Sequence, residues 1–129
     1  MKAPADCPCG SGKPYAACCG PLHFGQFSAF TAEALMRSRY SAYVLKLEDY
    51  LLATWHPTTR PSELDIEADG TKWLGLAVKC HQQQDGSHAT VEFVARYRIA
   101  GRGHRLHELS RFVREDGRWY YLDGDILTA

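Results

Sequence analysis

The chain has 129 residues, of which 45% are apolar and 23% are charged. This is the size of one domain, and it is enough to bury roughly two-thirds of the unfolded surface around a single core. The composition excludes a disordered, collagen-like or coiled-coil chain. Fifteen lysines and arginines balance fifteen aspartates and glutamates, so the net charge provides no general attraction for nucleic acid or anionic lipid.

The apolar runs of the chain are short. Residues 50–55 and 73–78 are typical of them, and both are far shorter than the roughly 20 residues that cross a bilayer. The first six residues lead directly into cysteines, without the apolar stretch of a secretory signal. We therefore expect no membrane span and a reducing, cytoplasmic location, in which disulfides are disfavoured.

Four of the five cysteines are clustered near the N-terminus, as Cys7, Cys9, Cys18 and Cys19. They form a C-x-C pair and a C-C pair, joined by a short loop that contains glycine and proline. Two close pairs joined in this way can converge on one point, and four thiolates at about 2.3 Å suit a closed, tetrahedral zinc site. Because protein atoms would fill every position, the spacing predicts a structural zinc ion and not a catalytic one.

The segment that holds these cysteines is too small to have a core of its own. Metal binding would supply its folding energy, on the order of 10–16 kcal/mol in comparable zinc peptides. Gly10 and Gly12 permit a tight bend, and their N–H groups could donate to the sulfurs. We therefore predict a zinc knuckle over residues 1–22 and a second domain over residues 23–129.

Two other interpretations of the cysteines have less support. A redox-active pair at Cys18 and Cys19 would close a strained ring and would leave Cys7 and Cys9 unexplained. An iron–sulfur cluster also needs four thiolates, but its known runs are more widely spaced.

Two further features of the sequence suggest chemistry. The string GSGK at residues 10–13 suggests a phosphate-binding loop, but it lacks the first glycine, the Ser or Thr after the lysine and the preceding strand. We reject that interpretation. Cys80 stands alone in an apolar run, and it is expected to be a small packed residue and not a reactive thiol.

The stretch from Cys7 to Cys19, with Ser11 and Gly12 inside it, resembles the SEC-C motif. This motif is a small zinc module that is found at the C-terminus of the SecA translocation ATPase and at the ends of many other proteins. Further stretches resemble the YchJ family of small bacterial proteins: LMRSRYSAY (35–43), YLLATWHP (50–57), HELSRF (107–112) and GRWYY (117–121). The resemblance implies an N-terminal SEC-C segment followed by a domain similar to nuclear transport factor 2.

Two helices are predicted after a turn segment over residues 21–30. Thr31 suits the N-cap of the first helix, which extends to about residue 46. Its apolar residues recur at helical spacing: Leu35, Met36, Tyr40, Tyr43, Val44 and Leu47. The same periodicity leaves a polar set toward the flank or water: Arg37, Ser38, Arg39 and Ser41. The second helix covers about residues 48–55, because Pro57 prevents its continuation.

The hydrophobic period changes after a polar loop at residues 58–71, for which we expect at most one helical turn near residues 61–64. Runs rich in β-branched and aromatic residues follow, separated by turn residues, at 73–81, 89–99, 105–114 and 118–122. They predict a four-stranded antiparallel meander. Alternation in the second strand places one set on a common face, Val91, Phe93, Ala95, Tyr97 and Ile99, and another on the opposite face, Glu92, Arg96 and Arg98.

Helices followed by a curved antiparallel sheet predict an α+β architecture in which the sheet wraps the long helix. The resemblance implies more, namely a cone-shaped domain behind the zinc knuckle, with a pocket between helix and sheet at its open end. Relatives of that fold include enzymes such as ketosteroid isomerase and many noncatalytic modules. The fold alone therefore does not assign a function.

Polar and aromatic side chains within apolar surroundings are the candidates for a ligand pocket: Trp55, His56, Arg60, Arg96, Glu108, Arg111, Trp119 and Asp123. Most have an ordinary structural explanation. His56 precedes a proline at a helix end, Glu108 and Arg111 can pair with arginines on the neighbouring strand, and Trp119 can pack in the core. No nucleophile, base and orienting residue can be assigned from spacing, so the sequence favours a protein without catalytic activity.

Two functions agree with these patterns. In the first, the zinc knuckle docks a protein or ribonucleoprotein partner, with Lys13 and Tyr15 at its exposed edge. The resemblance supports this function, because the SEC-C segment of SecA is a zinc-dependent docking element. In the second, the cone binds or transforms a small apolar molecule, and the knuckle is a lid or brace. The sequence favours the first function, since the metal motif is complete and a catalytic set is not found.

Overall fold

The computed structural model describes residues 6–64 and 71–127. A 3₁₀ turn at Tyr15–Ala17 leads into three helices: α1 (Cys19–His23), α2 (Ala32–Leu45) and α3 (Glu48–Ala53). Four strands follow: β1 (Lys72–Gln83), β2 (His88–Ile99), β3 (Arg102–Glu115) and β4 (Arg118–Ile126). Within the described residues, no helix combines the length and the apolar character that a membrane crossing requires.

The four strands form one antiparallel sheet in the order β1-β2-β3-β4, which confirms the predicted meander. The β2–β3 turn is made by Ala100 and Gly101, and the β3–β4 turn by Asp116 and Gly117, all four with positive φ. Such two-residue turns match the twist of the flanking strands. For this reason β3 begins at Arg102, three residues before the start predicted at residue 105.

The cap of helix α2 agrees with the prediction. The Thr31 Oγ1 atom accepts a hydrogen bond from the N–H of Ala34 at 3.0 Å, and the helix ends where Lys46 adopts a left-handed conformation with φ of 60°. One face of the helix packs on the inner face of the sheet, in a core that joins Ala32, Leu35, Met36 and Tyr40 to Val91, Phe93, Ala95, Phe112 and Trp119. This core confirms the α+β class.

The exposure predicted for the polar residues of α2 is wrong. Ser38, Arg39 and Ser41 are all buried. The reason is that α2 has neighbours on more than one side: the sheet, helix α3, and the segment that carries the cysteines. Periodicity identifies the most apolar face of a helix, but it does not report how many other faces are covered.

Cys80 is exposed, so the expectation that it is packed is also wrong. The pairing of β1 with β2 shifts between Val78 and Cys80, and the additional residue is Lys79. Such a bulge reverses the alternation of faces. As a result Cys80 lies opposite Glu92 and not on the inner face that Val78 shares with Phe93.

The loop before the sheet differs from its prediction as well. Residues 61–64 form no helical turn, and residues 65–70 lie outside the described residues. Strand β4 continues past the expected end to Ile126, because its pairing with β3 resumes after a bulge at Leu122, opposite Arg111 and Phe112.

Candidate metal centre and cavity

The sulfur atoms of Cys7, Cys9, Cys18 and Cys19 all lie within 4.8 Å of one another. The Sγ atoms of Cys9 and Cys18 are 3.6 Å apart, and those of Cys18 and Cys19 are 4.0 Å apart. Four sulfurs at about 2.3 Å from a zinc ion at the centre of a tetrahedron are separated by about 3.8 Å. The quartet therefore has the donor chemistry and the spacing for one tetrahedral metal ion.

Local backbone geometry brings the two cysteine pairs together. The N–H of Cys7 donates to the carbonyl of Lys13 at 2.8 Å, which closes the loop between the pairs. Gly10 and Gly12 have φ of 80° and 84°, values that residues with a side chain rarely adopt. The 3₁₀ turn and helix α1 then return the chain so that the second pair faces the first.

Ser11 supports the sulfur atoms. Its hydroxyl lies 3.1 Å from the Sγ of Cys18. The side-chain hydrogen bond between Cys9 and Cys19 is the main cause that lowers the pKa of Cys9 and raises the pKa of Cys19. Bonds from the hydroxyl and the backbone of Ser11 also lower the pKa of Cys9. The N–H of Gly10 was expected to donate to a sulfur atom. It donates instead to the carbonyl of Cys7 at 3.2 Å.

The cysteine cluster is fixed on helix α2. The hydroxyl of Ser41 donates to the Sγ of Cys19 at 3.4 Å and lies 3.5 Å from the Sγ of Cys7. The Nη1 atom of Arg37 donates to the carbonyl of Cys9 at 2.9 Å. Because three of the sulfur ligands are buried and the fourth position is also a protein sulfur, the arrangement suits a structural ion and not one that binds substrate.

His23 makes a second connection between this segment and α2. Its Nε2–H donates to the carbonyl of Ser38 at 2.7 Å, which leaves Nδ1 to accept from the hydroxyl of Tyr15 at 2.6 Å. The ring also meets the edge of Tyr50 at a centroid distance of 4.6 Å. Burial lowers the pKa of His23. This neutral tautomer satisfies both ring nitrogens, so the contact is complete without a charge.

A cavity of about 230 Å³ lies between α2 and the inner face of the sheet. Most of the residues in its wall are aromatic: Tyr40, Tyr43, Trp55, Trp73, Phe93, Phe112 and Tyr121. Its polar groups are Arg39, Glu108 and Ser110. An apolar cavity with a few convergent polar groups is the usual form of a small-molecule site.

Arg39 is the main polar residue of the cavity, and the periodicity of the sequence did not identify it. Its guanidinium lies against the rings of both Trp55 and Tyr121, at 5.1 and 4.7 Å from their centroids. Its Nη1 atom donates to the carbonyl of Leu51 at 2.8 Å and to the hydroxyl of Thr54 at 2.7 Å. Burial lowers the pKa of Arg39. The available signal was its position four residues after Leu35, on the same face of the helix.

Glu108 lies in the same cavity wall. Its Oε2 atom accepts hydrogen bonds from the hydroxyls of Ser110 and Tyr121. Burial and the charge of Glu108 raise the pKa of Tyr121, so its phenol stays protonated as a donor. A side chain at position 124 would meet the Glu108 carboxylate, and Gly124 therefore leaves the room that the carboxylate occupies.

The candidate pocket residues are only partly brought together. Trp55 and Glu108 line the cavity. Trp119 does not, because it is buried in the core and its Nε1–H donates to the carbonyl of Phe30 at 3.2 Å. Arg60 lies near the cavity's edge without lining it, with its Nε–H donating to the carbonyl of Trp55 at 2.9 Å.

His56 is directed away from the cavity. The N–H of Thr58 donates to its Nδ1 atom at 3.2 Å, so Nδ1 is an acceptor and the Nε2–H donates to Glu115 at 2.8 Å. This position at the end of helix α3 agrees with the structural explanation given for a histidine that precedes Pro57.

Arg96 and Arg111 belong to the outer face of the sheet. Arg96 lies opposite Gly75 and Arg105, whereas Arg111 pairs with Asp123 at 2.6 Å and with Asp125 at 2.8 Å. The expected pairing of Glu108 or Arg111 with an arginine of β2 is therefore wrong. The physical reason is register: Glu108 lies opposite Phe93 on the inner face, and Arg111 has acidic neighbours on β4.

Comparison with known families agrees with both parts of the chain. The SEC-C motif matches residues 5–21, and the model described as "YchJ, middle NTF2-like domain" matches residues 31–124. The chain is thus one of the proteins that join a SEC-C cysteine cluster to a domain like nuclear transport factor 2. It belongs to the YchJ family, whose curated members carry the name UPF0225.

Several relatives are similar over nearly their whole length. A UPF0225 protein of Bordetella pertussis is 64% identical, over 96% of this chain and 95% of its own. A second, from Ralstonia nicotianae, is 59% identical, over 95% and 92%. The solution structure of a SEC-C motif containing protein from Rhodopseudomonas palustris has a TM-score of 0.86 and 42% identity, covering 96% of this chain and all of that one.

A crystal structure of a SEC-C motif containing protein from Psychrobacter arcticus is also similar. It has a TM-score of 0.78 and 34% identity, and the match covers 95% of this chain and 83% of that one. These matches confirm the resemblance to the YchJ family and the α+β fold with an N-terminal cysteine cluster.

Proposed function

We propose that this protein is a noncatalytic interaction module, in which a structural zinc ion on the four cysteines holds a docking surface for a protein partner. The observation that carries the proposal is the position of the cysteine cluster. It is attached to α2 through Ser41 and Arg37, and it is followed directly by an aromatic segment that faces solvent.

The identity of the metal is inferred from the donor set. Four thiolates with tetrahedral spacing favour zinc over the hard cations, which prefer oxygen. The ligands must be reduced and deprotonated, which fits a cytoplasmic location. An ion whose four coordination positions are all filled by protein sulfurs would stabilise the fold of residues 7–19 and would take no part in a reaction.

The proposed docking surface consists of Phe24, Phe27 and Phe30, whose side chains are 75%, 65% and 92% exposed. Residues 24–31 carry no charged side chain. Exposed phenylalanines without charges are typical of the centre of a protein–protein interface and are rare on the remaining surface. An RNA surface would instead need basic residues, so we favour a protein over a ribonucleoprotein.

A groove of about 380 Å³ adjoins this surface. It is lined by Phe27 and Ala29 on one side and by residues of α3 and β4 on the other, with Asp49 and Arg118 among them. Such a groove can receive an apolar side chain of the partner, and the two charged residues provide a polar rim.

The zinc site is tested by native mass spectrometry of the full chain. We expect one zinc ion per molecule in the wild type and none in Cys9→Ser. Cys80→Ser is the matched control, because Cys80 is an exposed cysteine outside the cluster, and it should retain the ion. Equal zinc content in both variants, or a wild type without zinc, would contradict the proposal.

Docking is tested by photo-crosslinking in cells. A photoreactive phenylalanine analogue replaces Phe27 in one variant and Leu74, another exposed apolar residue, in the other. We expect one discrete crosslinked protein at position 27, absent at position 74 and absent when Cys9→Ser is added. Crosslinks that are identical at both positions, independent of zinc, or lost on nuclease treatment would argue against a zinc-dependent protein surface.

A further inference from the structure

Arg39 points to a ligand for the cavity, independently of the docking surface. We infer that the cavity binds a small aromatic carboxylate, whose carboxylate group pairs with Arg39 and whose opposite end carries a hydroxyl group that donates to Glu108. This site is separate from the cysteine cluster and from the Phe24, Phe27 and Phe30 surface.

Arg39 has hydrogen-bonding capacity that the described residues do not fill. Only its Nη1 atom donates to protein, to Leu51 and Thr54. Within residues 6–64 and 71–127, neither Nε nor Nη2 has a hydrogen-bond acceptor. A guanidinium presents its donors in a fork that matches the two oxygens of a carboxylate. The free donors are therefore suited to bidentate binding of that group.

Arg39 carries a buried positive charge. The residue is 6% exposed, and no ion pair with it is found in the described part of the chain. Glu108 is in the same wall, and its negative charge favours the charged form of Arg39 from a distance. A buried cation without a direct ion pair is costly. The rings of Trp55 and Tyr121 offset part of this cost, and an anionic ligand would offset more.

Glu108 can bind the end of the ligand that lies opposite the ligand's own carboxylate. The Oε1 atom of Glu108 accepts no hydrogen bond from the described residues, whereas Oε2 accepts two. A carboxylate oxygen in this position can take one donor, such as a hydroxyl group. A second carboxylate there would be repelled, so the ligand has an acid at one end only.

The cavity also limits the size of the ligand. A volume of about 230 Å³ corresponds to on the order of eight water-sized groups, which is the size of one substituted ring and much less than a nucleotide or a lipid. The wall presents rings from Tyr40, Tyr43 and Trp73. Aromatic side chains in the wall favour an aromatic ligand through stacking and edge contacts.

The probe for this inference is 4-hydroxybenzoate, titrated into the zinc-loaded full chain and followed by two-dimensional amide NMR. We expect saturable shifts confined to residues around the cavity. Phenol, which lacks the acid, should bind at least tenfold more weakly, and benzoate, which lacks the hydroxyl group, should bind several-fold more weakly. Phenyl phosphate tests whether the site prefers a carboxylate or a phosphate group. Tighter binding of phenyl phosphate than of benzoate would overturn the assignment to carboxylates.

Three variants locate the site. Arg39→Lys keeps the charge but removes the fork, and we expect it to lose about tenfold in affinity for 4-hydroxybenzoate with little change for phenol. Glu108→Gln should reduce the difference between 4-hydroxybenzoate and benzoate, and it provides a second test if the Arg39 variant does not fold. Arg111→Ala, on the outer face, should bind as the wild type does. The absence of saturable binding to the wild type, or unchanged affinities in folded Arg39→Lys and Glu108→Gln, would overturn the inference without affecting the docking proposal.

Discussion

Ser41 of helix α2 donates its hydroxyl to the Sγ atom of Cys19 at 3.4 Å. The two residues belong to different segments of the chain, and both are buried. A serine hydroxyl that faces a thiolate supports a metal ligand and also joins the N-terminal cluster to the main core. The cluster and the α+β domain are therefore coupled energetically through this contact.

Ser41→Ala should destabilise the zinc-loaded protein by about 1 kcal/mol or somewhat more, because it leaves a buried sulfur without its donor. Chemical denaturation in the presence of zinc measures the change in the free energy of unfolding. The effect should become smaller in Cys9→Ser, in which the metal site is already lost. Ser62→Ala, at an exposed serine, is the control and should resemble the wild type. Equal losses with and without an intact metal site would show that Ser41 acts only through packing.

Gly20→Ala should disturb the metal site. A Cβ atom at this position of α1 would lie 2.9 Å from the carbonyl oxygen of Tyr15, and a backbone oxygen can move only if the 3₁₀ turn moves with it. We expect a loss of about 1–3 kcal/mol and weaker zinc binding, measured by competition with a chromogenic chelator. Gly86→Ala is the control, because nothing lies within 4 Å of its Cβ position. Unchanged zinc affinity in Gly20→Ala would contradict the close packing of α1 on this turn.

His23 should make the stability depend on pH. Burial, opposed by the carbonyl of Ser38 and by Cys9, lowers its pKa in the folded protein. Below the unfolded value of about 6.5, the unfolded chain takes up a proton that the folded chain does not bind. The stability should therefore fall as the pH drops from about 6.5 toward the lowered pKa of the folded state.

Urea unfolding at a series of pH values measures this dependence. His23→Gln keeps a donor for Ser38 and an acceptor for Tyr15 but does not titrate, so its loss of stability on acidification should be smaller than that of the wild type. Both proteins keep the same cysteines, so the difference between their slopes reports His23 alone. Parallel slopes would contradict the prediction.

Arg111→Ala should leave the melting temperature close to that of the wild type. The ion pairs of Arg111 with Asp123 and Asp125 are on the exposed outer face of the sheet, and such pairs contribute little because water screens them. Thermal unfolding monitored by circular dichroism measures the effect, with Ser110→Val on the same strand as a buried comparison. A large decrease of the melting temperature in Arg111→Ala would mean that these ion pairs are more important for the fold than their exposure indicates.

Much of the fold could be predicted because its signals are local. Cys7 to Cys19 carry their metal-site spacing within one short segment, Thr31 marks the start of α2, and Asp116–Gly117 marks a hairpin. Each signal needs only a few neighbouring residues to act. These features are confirmed in the structure with small shifts at the ends of the elements.

The candidate pocket was less predictable, because it depends on which face a residue occupies. Trp55 and Glu108 line the cavity, but Trp119 is packed in the core and Arg111 is on the outer face. All four lie in segments that the sequence predicts as helix or strand. Strand register and the bulges decide their faces, and both depend on pairing between distant segments.

The sequence by itself determined the cysteine quartet, the order of α2, α3 and the four strands, and the family to which the chain belongs, since these depend on residue spacing, helix caps and turn residues. Only the tertiary structure decided that Arg39 is buried against Trp55 and Tyr121 and that Cys80 is exposed. The physical reason is that burial depends on everything that packs around a residue. For Arg39, helix α3, strand β4 and the sheet together close a face of α2 that periodicity alone assigns to water.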